Sequence, residues 1–396
     1  MIQRIDLLMP PRHRTGYGVL PYFTRCFAEA LADQQIECRI LGNEQGENPH
    51  LVSDLLKDAP DLTLSFNGLL PDRDGKFLCE MIRIPHIACL LDSPNLYMEL
   101  AKSPLNVITC DDRTFVQFFR DLKAPHVFFM PHAVEARFLG EIDADRPYEV
   151  SVTGTCMDFE GRRQSWPERF SPAMATVLEE AAEITLSDQT TSYLQAYTQA
   201  MDHRLRTKGD IDPASFDHED LFDQLEFYIR GKDRFNVITA IKDAPVHIFG
   251  TKSGQRGWED YLKGMPNAII HGRIPYEETL AVMQKSKIIL NSTPTIKDGA
   301  HERIFAGIMA GAAVITNETR FLTETFENGR TIAFYKHGQY DRINEQVMDL
   351  LRDETARREM VQSGREIVRQ NHTWEVRAKS LVEYLNLIWP QLESLL

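Results

Sequence analysis

The chain has 396 residues, of which 43% are hydrophobic and 26% charged, proportions that are typical of a globular protein with a buried core. This length exceeds what one hydrophobic core usually supports, so we expect two domains. The formal net charge of −14 argues against a nucleic-acid-binding protein, because no basic domain offsets it.

The spacing of the cysteines and the lengths of the apolar runs indicate in which cellular compartment the protein resides. The six cysteines form no CxxC pair and cluster with no histidine, which predicts buried thiols in a reducing environment. No apolar run reaches the about 18 residues of a membrane helix, and the run at the N-terminus is too short for a secretory signal. We therefore predict a cytoplasmic protein without a membrane span.

Short apolar runs alternate with helical patterns through the first third of the chain, which is typical of parallel βαβ units in a doubly wound sheet. We predict an N-terminal α/β domain over 1–133 and a polar, proline-containing linker over 134–149. The strand-like runs are 4–9, 37–41, 61–66, 86–91, 106–110 and 126–130.

The second half repeats this alternation after an interruption. Residues 165–240 are mostly helical in pattern and predict an insertion within a C-terminal domain over 150–372. A long amphipathic pattern over 373–396 predicts a final helix. The strand-like runs of this half are 150–156, 246–251, 267–272, 287–292, 312–316 and 331–335. The simplest architecture is two α/β halves with a cleft between them.

One strand–loop–helix–strand unit has the features of an anion site. Its loop TPTIKDG leads into a helix predicted to begin near His301, where the first N–H groups have no partner within the helix and favour an anion. Arg303 can bind phosphate oxygens, and Glu302 can accept hydrogen bonds from a ribose diol. Gly307 predicts close helix–sheet packing, because glycine inside a helix otherwise costs about 1 kcal/mol. The alternative is an acidic first turn beside a solvated arginine.

Two motifs that could suggest a metal do not support one. HER at 301–303 begins like a zincin motif, but position 305 is Phe where the second histidine must be. Asp143 and Asp145 form a DxD that follows no strand and precedes Pro147, so we interpret it as an acidic linker. We predict no bound metal.

The loop after the strand-like run VHIFG is a second candidate. Gly250 and Gly254 allow close approach of the backbone, and Thr251 adds a hydroxyl group. Lys252 and Arg256 can offset the charge that develops on a departing diphosphate. A solvated surface loop is the alternative.

The first domain contributes three candidates. Gly16, Tyr17 and Gly18 follow the first strand and begin a GxGxxG pattern whose third glycine is replaced by Pro21, a weak dinucleotide fingerprint. Asp92 ends an apolar strand and could act as a general base. His132 is the other candidate base. The alternatives are a tight turn for the glycines and a helix cap or turn for Asp92.

These segments resemble a known family. DGAHERIFAGIMAGAAVIT (298–316) resembles the donor-binding segment of GT-B glycosyltransferases, and is closest to the CgeB-like, group 1-related branch. IIHGRIPYEETLAVMQKSKIILNST resembles the unit that precedes that segment. MPHAVEARF resembles the crossing between the two domains, and HTWEVRAKSLVEYL resembles the final helix. The resemblance covers most of 240–396 and, more loosely, 1–160.

The resemblance implies two Rossmann-like domains facing a cleft, with the last helix crossing back to the first domain. It implies sugar transfer from a nucleotide sugar, expected to be a UDP-sugar, to an acceptor hydroxyl, with no other cofactor. The loop of 16–18 would face the donor phosphates or the acceptor across the cleft. The donor would contact Asp298, Gly299, Ala300, His301, Glu302 and Arg303, with backbone groups of Arg273 and Ile274 beside the base.

One departure from the family pattern keeps alternatives open. Many relatives have two glutamates eight residues apart, whereas this chain has Asp298 and Ala306 at those positions. Glu302, one turn earlier on the same face, could replace the missing carboxylate. A non-catalytic nucleotide- or glycan-binding protein, an NAD-dependent oxidoreductase and a sugar-nucleotide epimerase remain alternatives. Asp92 as a base implies inversion; without a base, a retaining route assisted by the leaving phosphate is expected.

Overall fold

The computed structural model describes residues 2–10, 17–43, 47–142 and 145–396. They form two compact units, one comprising 1–137 with 369–396 and the other 138–368.

The predicted linker over 134–149 is not a separate segment. Val134 belongs to the first unit, because it pairs with Thr373 and its N–H donates to the carbonyl of His372 at 3.1 Å. Gly140 belongs to the second unit, because its N–H donates to the carbonyl of Met309 at 2.9 Å.

The described strands and helices have the following bounds. The strands are β1 (Arg4–Leu8), β2 (Glu37–Leu41), β3 (Leu62–Phe66), β4 (His86–Cys89), β5 (Asn106–Cys110), β6 (His126–Phe129), β7 (Tyr148–Thr153), β8 (Cys156–Met157), β9 (Val246–Phe249), β10 (Lys252–Ser253), β11 (Ala268–His271), β12 (Ser286–Leu290), β13 (Ala313–Asn317) and β14 (Ala333–Tyr335). The helices are α1 (Val19–Ala32), α2 (Leu51–Lys57), α3 (Leu78–Ile82), α4 (Arg113–Asp121), α5 (Phe159–Arg169), α6 (Pro172–Ser187), α7 (Tyr193–Thr207), α8 (His218–Ala240), α9 (Trp258–Tyr261), α10 (Tyr276–Gln284), α11 (Glu302–Met309), α12 (Arg320–Thr325), α13 (Ile343–Arg352), α14 (Glu354–Asn371) and α15 (Trp374–Glu393).

The first unit is a parallel sheet with helices packed on it. Within the described residues its strand order is β2-β1-β3-β4-β5-β6, and every residue of β3 and β5 is buried, as expected for a sheet covered on both faces. Trp374 of α15 lies in an aromatic cluster with Phe23, Phe27 and Phe66, with ring centroids 5.0–5.8 Å from its own. This cluster holds the last helix on the first sheet.

The second unit has the same construction with a helical insertion. Its described strands follow the order β11-β9-β7-β12-β13-β14, all parallel, and α5 to α8 separate β7 and β8 from β9. The predicted α/β class is confirmed. The predicted strand over 150–156 is divided: β7 ends at Thr153, and Cys156–Met157 pairs with β10 instead.

Gly307 confirms the predicted close packing of helix on sheet. A Cβ atom at this position would lie 2.9 Å from Cγ2 of Val314 and 3.2 Å from Cγ1 of Ile289. These side chains belong to β13 and β12, so the absence of a side chain lets α11 approach the centre of the sheet.

The cysteines and the hydropathy of the helices give two further observations. The six cysteines form no disulfide, and all except the half-buried Cys38 are buried. None of the helices that the structure describes combines the length and apolar character needed to cross a bilayer.

Buried His86 predicts a pH dependence of folding. Its ring nitrogens contact Oγ1 of Thr63 at 2.8 Å and Oγ of Ser65 at 3.0 Å, and burial lowers its pKa to about 3. In the unfolded chain this histidine is protonated below about pH 6.5, whereas in the folded chain it stays neutral until about pH 3. The free energy of unfolding therefore falls as the pH drops from about 6.5 toward 3. We expect His86→Gln to reduce this slope by about 1.4 kcal/mol per pH unit between pH 6 and 4.

Urea unfolding at several pH values measures this slope. His203→Gln is the matched control, because the His203 side chain is 61% exposed on α7. An unchanged slope in His86→Gln would show that another group is responsible.

Candidate functional site

The carboxyl ends of β7 and β9 lie against each other in the second unit. A Cβ atom on Gly250, which directly follows β9, would overlap the carbonyl oxygen of Gly154, which directly follows β7. Glycine at position 250 therefore allows the two loops to touch. Ligands of open parallel sheets bind at this edge.

Helix α11 begins at the same edge. Its N-cap residue is His301, in extended backbone conformation, and the side-chain Nδ1 accepts the N–H of Arg303 at 3.4 Å. The predicted start of this helix near His301 is confirmed. The helix is short but almost wholly buried, which fixes its first turn relative to the sheet.

Arg303 connects the start of α11 to the end of β7. Its Nη1 donates to the carbonyl of Thr153 at 2.6 Å, and its Nη2 lies 2.8 Å from Nε2 of His301. The guanidinium is partly exposed, so it places a permanent positive charge at the edge where an anion would bind.

The neighbouring predicted donor-binding residues have different environments. Glu302 is only 8% exposed, and its carboxylate lies against Nδ1 of His301. Gly299 and Ala300 are buried, and the Gly299 carbonyl accepts a hydrogen bond from Oγ1 of Thr319 at 2.8 Å. Asp298 is partly exposed. These contacts hold the loop before α11 from both ends.

Asp158 organises the loop that carries Lys252 and Arg256. Its Oδ2 accepts the N–H groups of Gln255 and Arg256 at 3.2 Å, and its Oδ1 accepts the hydroxyl of Tyr261 at 2.7 Å. Burial alone would raise the pKa of Asp158, but these hydrogen bonds outweigh it and hold the pKa below its usual value. Asp158 could not be identified from the sequence, because it lies almost 100 residues from its partners Gln255 and Arg256.

The cations of this loop are not equivalent. Thr251 and Lys252 are exposed, and Nζ of Lys252 donates to the carbonyl of Gln255 at 3.0 Å. Nη1 of Arg256 instead lies 2.7 Å from Oε2 of Glu160, so its charge is offset by a carboxylate. Lys252 is therefore the better placed of the two to meet a ligand.

Arg273 and Ile274 lie between β11 and α10, at the carboxyl end of β11. Arg273 is exposed and Ile274 is half-buried. Next to them, the rings of Phe249 and His271 stack with centroids 4.2 Å apart. Phe249 is buried and His271 is half-buried, so the His271 ring is the accessible member of this pair at the ends of β9 and β11.

Two buried charges connect the loop before α11 to the helical insertion. Nζ of Lys297 donates to the carbonyls of Thr185 and Asp188, at 2.7 and 2.8 Å, around the end of α6. Asp233 on α8 accepts the hydroxyl of Ser292 at 2.6 Å. Sequence reasoning missed both residues, although one signal existed for Asp233.

That signal is periodicity. Asp233 lies four residues after Ile229 and four residues before Val237, both buried, so all three lie on the apolar face of α8. An acidic residue on such a face needs a buried partner.

The predicted catalytic residues lie in the first unit. Asp92 is exposed and accepts a hydrogen bond from Nδ2 of Asn67 at 2.6 Å. His132 is 3% exposed, and its Nε2 lies 3.2 Å from Oδ2 of Asp111, which directly follows β5. Asp111 was not identified from the sequence, because its partner His132 lies in a different segment of the chain.

The glycine loop is described only in part. Gly16 lies outside the described residues, as does Asp143. Tyr17 is half-buried, and Gly18 forms the N-cap of α1 with φ +75°. Among the described residues, no three His, Cys, Asp or Glu side chains come together as metal ligands.

Comparison with known proteins gives the fold of the chain and a family similarity over part of it. Two solved structures resemble the fold over 98% of this chain: AviGT4, a glycosyltransferase involved in avilamycin A biosynthesis (TM-score 0.56, 10% identity, 98% of its length), and a sucrose-phosphate synthase from Thermosynechococcus elongatus (TM-score 0.54, 12% identity, 100% of its length). Residues 217–383 match the family model described as glycosyl transferase-like. The chain has the fold of the GT-B glycosyltransferases, and its residues 217–383 are similar to the glycosyl transferase-like family.

Other comparisons extend these similarities. The structure of HepE from Anabaena in complex with UDP is similar to this chain, with a TM-score of 0.50 and 12% identity. The similarity covers 97% of this chain and 100% of HepE. This chain spans 58% of the length of TarM from Staphylococcus aureus, with a TM-score of 0.48 and 10% identity. A search of curated protein sequences finds no relative. The CgeB-like branch stays a prediction.

Proposed function

We propose that this protein is a glycosyltransferase that moves a sugar from a UDP-sugar to an acceptor hydroxyl, with the donor diphosphate at the start of α11. The observation that carries the proposal is the bond from Arg303 to the Thr153 carbonyl, which brings a fixed cation and the first turn of a helix to one sheet edge. The Anabaena neighbour, which has UDP bound, supports this choice of nucleotide.

The proposed chemistry at this edge is electrostatic. When the bond between the sugar and the diphosphate breaks, negative charge develops on the leaving oxygen. Arg303, Lys252 and the N–H groups of the first turn would stabilise that charge before it forms. Transfer without a metal stays a prediction of this proposal.

We further propose that the half-buried His271 ring, which stacks on the buried Phe249 ring, receives the uracil base together with the backbone of Arg273 and Ile274. Burial lowers the pKa of His271, so its ring is neutral at pH 7 and offers an apolar face. An uncharged aromatic face is suited to stacking on a nucleobase. We propose Glu302, although mostly buried, as the carboxylate that accepts hydrogen bonds from the ribose diol.

For the acceptor we propose Asp92 as general base. It is exposed, and its carboxylate accepts a hydrogen bond from Asn67, whereas His132 is buried next to Asp111. A base must reach the proton that it removes. We expect Asp92→Asn to lower kcat by a factor of about 10²–10⁴. We expect the wild-type enzyme to invert the configuration at the anomeric carbon of the sugar, as identified by NMR of the product. Retention of configuration would contradict the role of Asp92.

One experiment tests the function as a whole. We expect UDP to raise the unfolding temperature more than ADP, GDP or NAD, and UDP-sugars to be hydrolysed slowly without acceptor, because transferases leak donor to water. Stabilisation by NAD alone would favour the oxidoreductase. Isomerised donor would favour the epimerase, and binding without hydrolysis or transfer would favour a non-catalytic protein.

A further inference from the structure

A cavity of about 370 Å³ lies in the second unit, away from the proposed donor site. It opens near the amino ends of β7 and β12 and next to Gly311, which follows the C-terminal end of α11. It therefore lies at the opposite edge of the sheet from the start of that helix. Four basic and two acidic side chains line it: Arg146, Lys287, Arg357, Arg358, Asp145 and Glu354.

Arg146 is a buried cation that only dipoles neutralise. It is 5% exposed; Nη1 donates to the carbonyl of Ser286 at 2.9 Å and Nη2 to that of Ala310 at 2.9 Å. Nη1 also donates to the carbonyl of Met283 at 3.3 Å and Nη2 to that of Glu141 at 2.6 Å. No carboxylate within the described ranges accepts a hydrogen bond from it, and Nε is its one buried nitrogen without a partner. A buried charge without a counterion is costly, so an anion here would be stabilising.

Arg357 adds a second poorly neutralised charge. It is 8% exposed, and Nη1 donates to the carbonyl of Leu350 at 2.7 Å. Its carboxylate neighbour is Oε1 of Glu354, 3.8 Å from Nη2, and that oxygen is closer to Arg358, at 2.6 Å. Glu354 therefore pairs mainly with the more exposed Arg358, and the positive charge of the buried Arg357 is only weakly offset.

The backbone leaves space for this concentration of charge. Gly311 has φ +89°, and a Cβ atom there would overlap Nη2 of Arg146 and lie 3.1 Å from Nη2 of Arg365. Burial, followed by repulsion from Arg365 and Arg357, lowers the pKa of Arg146 to about 10. The positive charges of Arg365 and Arg357 thus repel that of Arg146 next to the cavity, although the net charge of the chain is −14.

We propose that this cavity binds a phosphate-bearing anion through Arg146, Arg357 and Lys287. A phosphate group carries close to two negative charges, which matches the two buried guanidinium groups, and its oxygens can accept the N–H groups that backbone carbonyls leave unused, such as Nε of Arg146. Free phosphate and the phosphoryl group of a larger molecule share this chemistry. The site is independent of the donor site and of the transferase reaction.

Calorimetric titration with inorganic phosphate, and separately with glycerol 3-phosphate, tests the proposal and distinguishes the two sources. We expect the wild type to bind phosphate and Arg357→Gln to bind at least about ten-fold more weakly. Arg352→Gln is the matched control, because this exposed arginine of α13 pairs with Asp349 and does not line the cavity. A second variant, Lys287→Gln, weakens the rim of the cavity without disturbing the buried arginines, should Arg357→Gln fail to fold.

Two outcomes would overturn the inference. One is an absence of phosphate binding by the wild type. The other is binding that Arg303→Gln abolishes while Arg357→Gln and Lys287→Gln retain it, since the anion would then occupy the donor site. Binding that survives Arg303→Gln but is weakened by the cavity variants supports the cavity even if the transferase assignment fails.

Discussion

Arg303→Gln should lower kcat/KM for a nucleotide-sugar donor by a factor of about 10²–10³. The substitution removes the cation that the Thr153 carbonyl and His301 hold at the start of α11. Because this charge meets the developing diphosphate, its loss affects the transition state more than the ground state, so we expect a lower kcat and a smaller rise in KM. Initial-rate kinetics with varied donor measure both constants.

Two further variants make this result specific. Arg320→Gln removes an arginine from the nearby helix α12 whose side chain is 72% exposed and pairs with Glu324, and it should leave the kinetics unchanged. Arg303→Lys keeps the charge without the planar N–H pattern and should fall between wild type and Arg303→Gln. If Arg303→Gln stays within about two-fold of wild type, the diphosphate does not bind at this edge.

Asp233→Ala should lower the free energy of unfolding by about 3–5 kcal/mol. Asp233 is fully buried and accepts hydrogen bonds from Ser292 at 2.6 Å and Tyr340 at 2.7 Å, and it lies 3.1 Å from Nδ1 of His337. Burial alone would raise the pKa of Asp233, but His337 and the two hydroxyl groups lower it, so the carboxylate is ionised. Its removal leaves several buried donors without an acceptor.

The same helix supplies the control. Asp223 is 49% exposed and pairs with Arg162 at 3.1 Å, so Asp223→Ala should cost only about 0–1 kcal/mol. Urea unfolding measures both variants, and a double-mutant cycle with Ser292→Ala isolates the contact with the loop before α11. Equal stability of the Asp233→Ala and Asp223→Ala variants would show that this cluster contributes little.

The Asp233 variant also has an expected effect on function. Ser292 directly precedes the loop that ends at His301, and Lys297 within that loop is held by carbonyls around the end of α6. The helical insertion therefore positions the proposed donor loop. We expect Asp233→Asn, which keeps the size of the side chain, to raise KM for the donor more than it lowers kcat.

The strands, the helical insertion and the start of α11 could be predicted from sequence, because each depends on local patterns. Apolar runs of four to six residues separated by helical periodicity determine parallel βαβ units, and a polar loop before a small-residue helix determines where α11 begins. Gly307 is predictable for the same reason, since a glycine inside a helix requires a close neighbour.

Only the tertiary structure decided which side chains meet at the site. Asp158 lies almost 100 residues from Arg256, and Asp233 lies 104 residues from His337, so no local period connects them. The fold also decided that Arg256 faces Glu160 whereas Lys252 stays exposed, although both look equally suitable in sequence. Spacing along the chain determines secondary structure, but the pairing of charges depends on which loops the sheet brings to one edge, and that follows from packing.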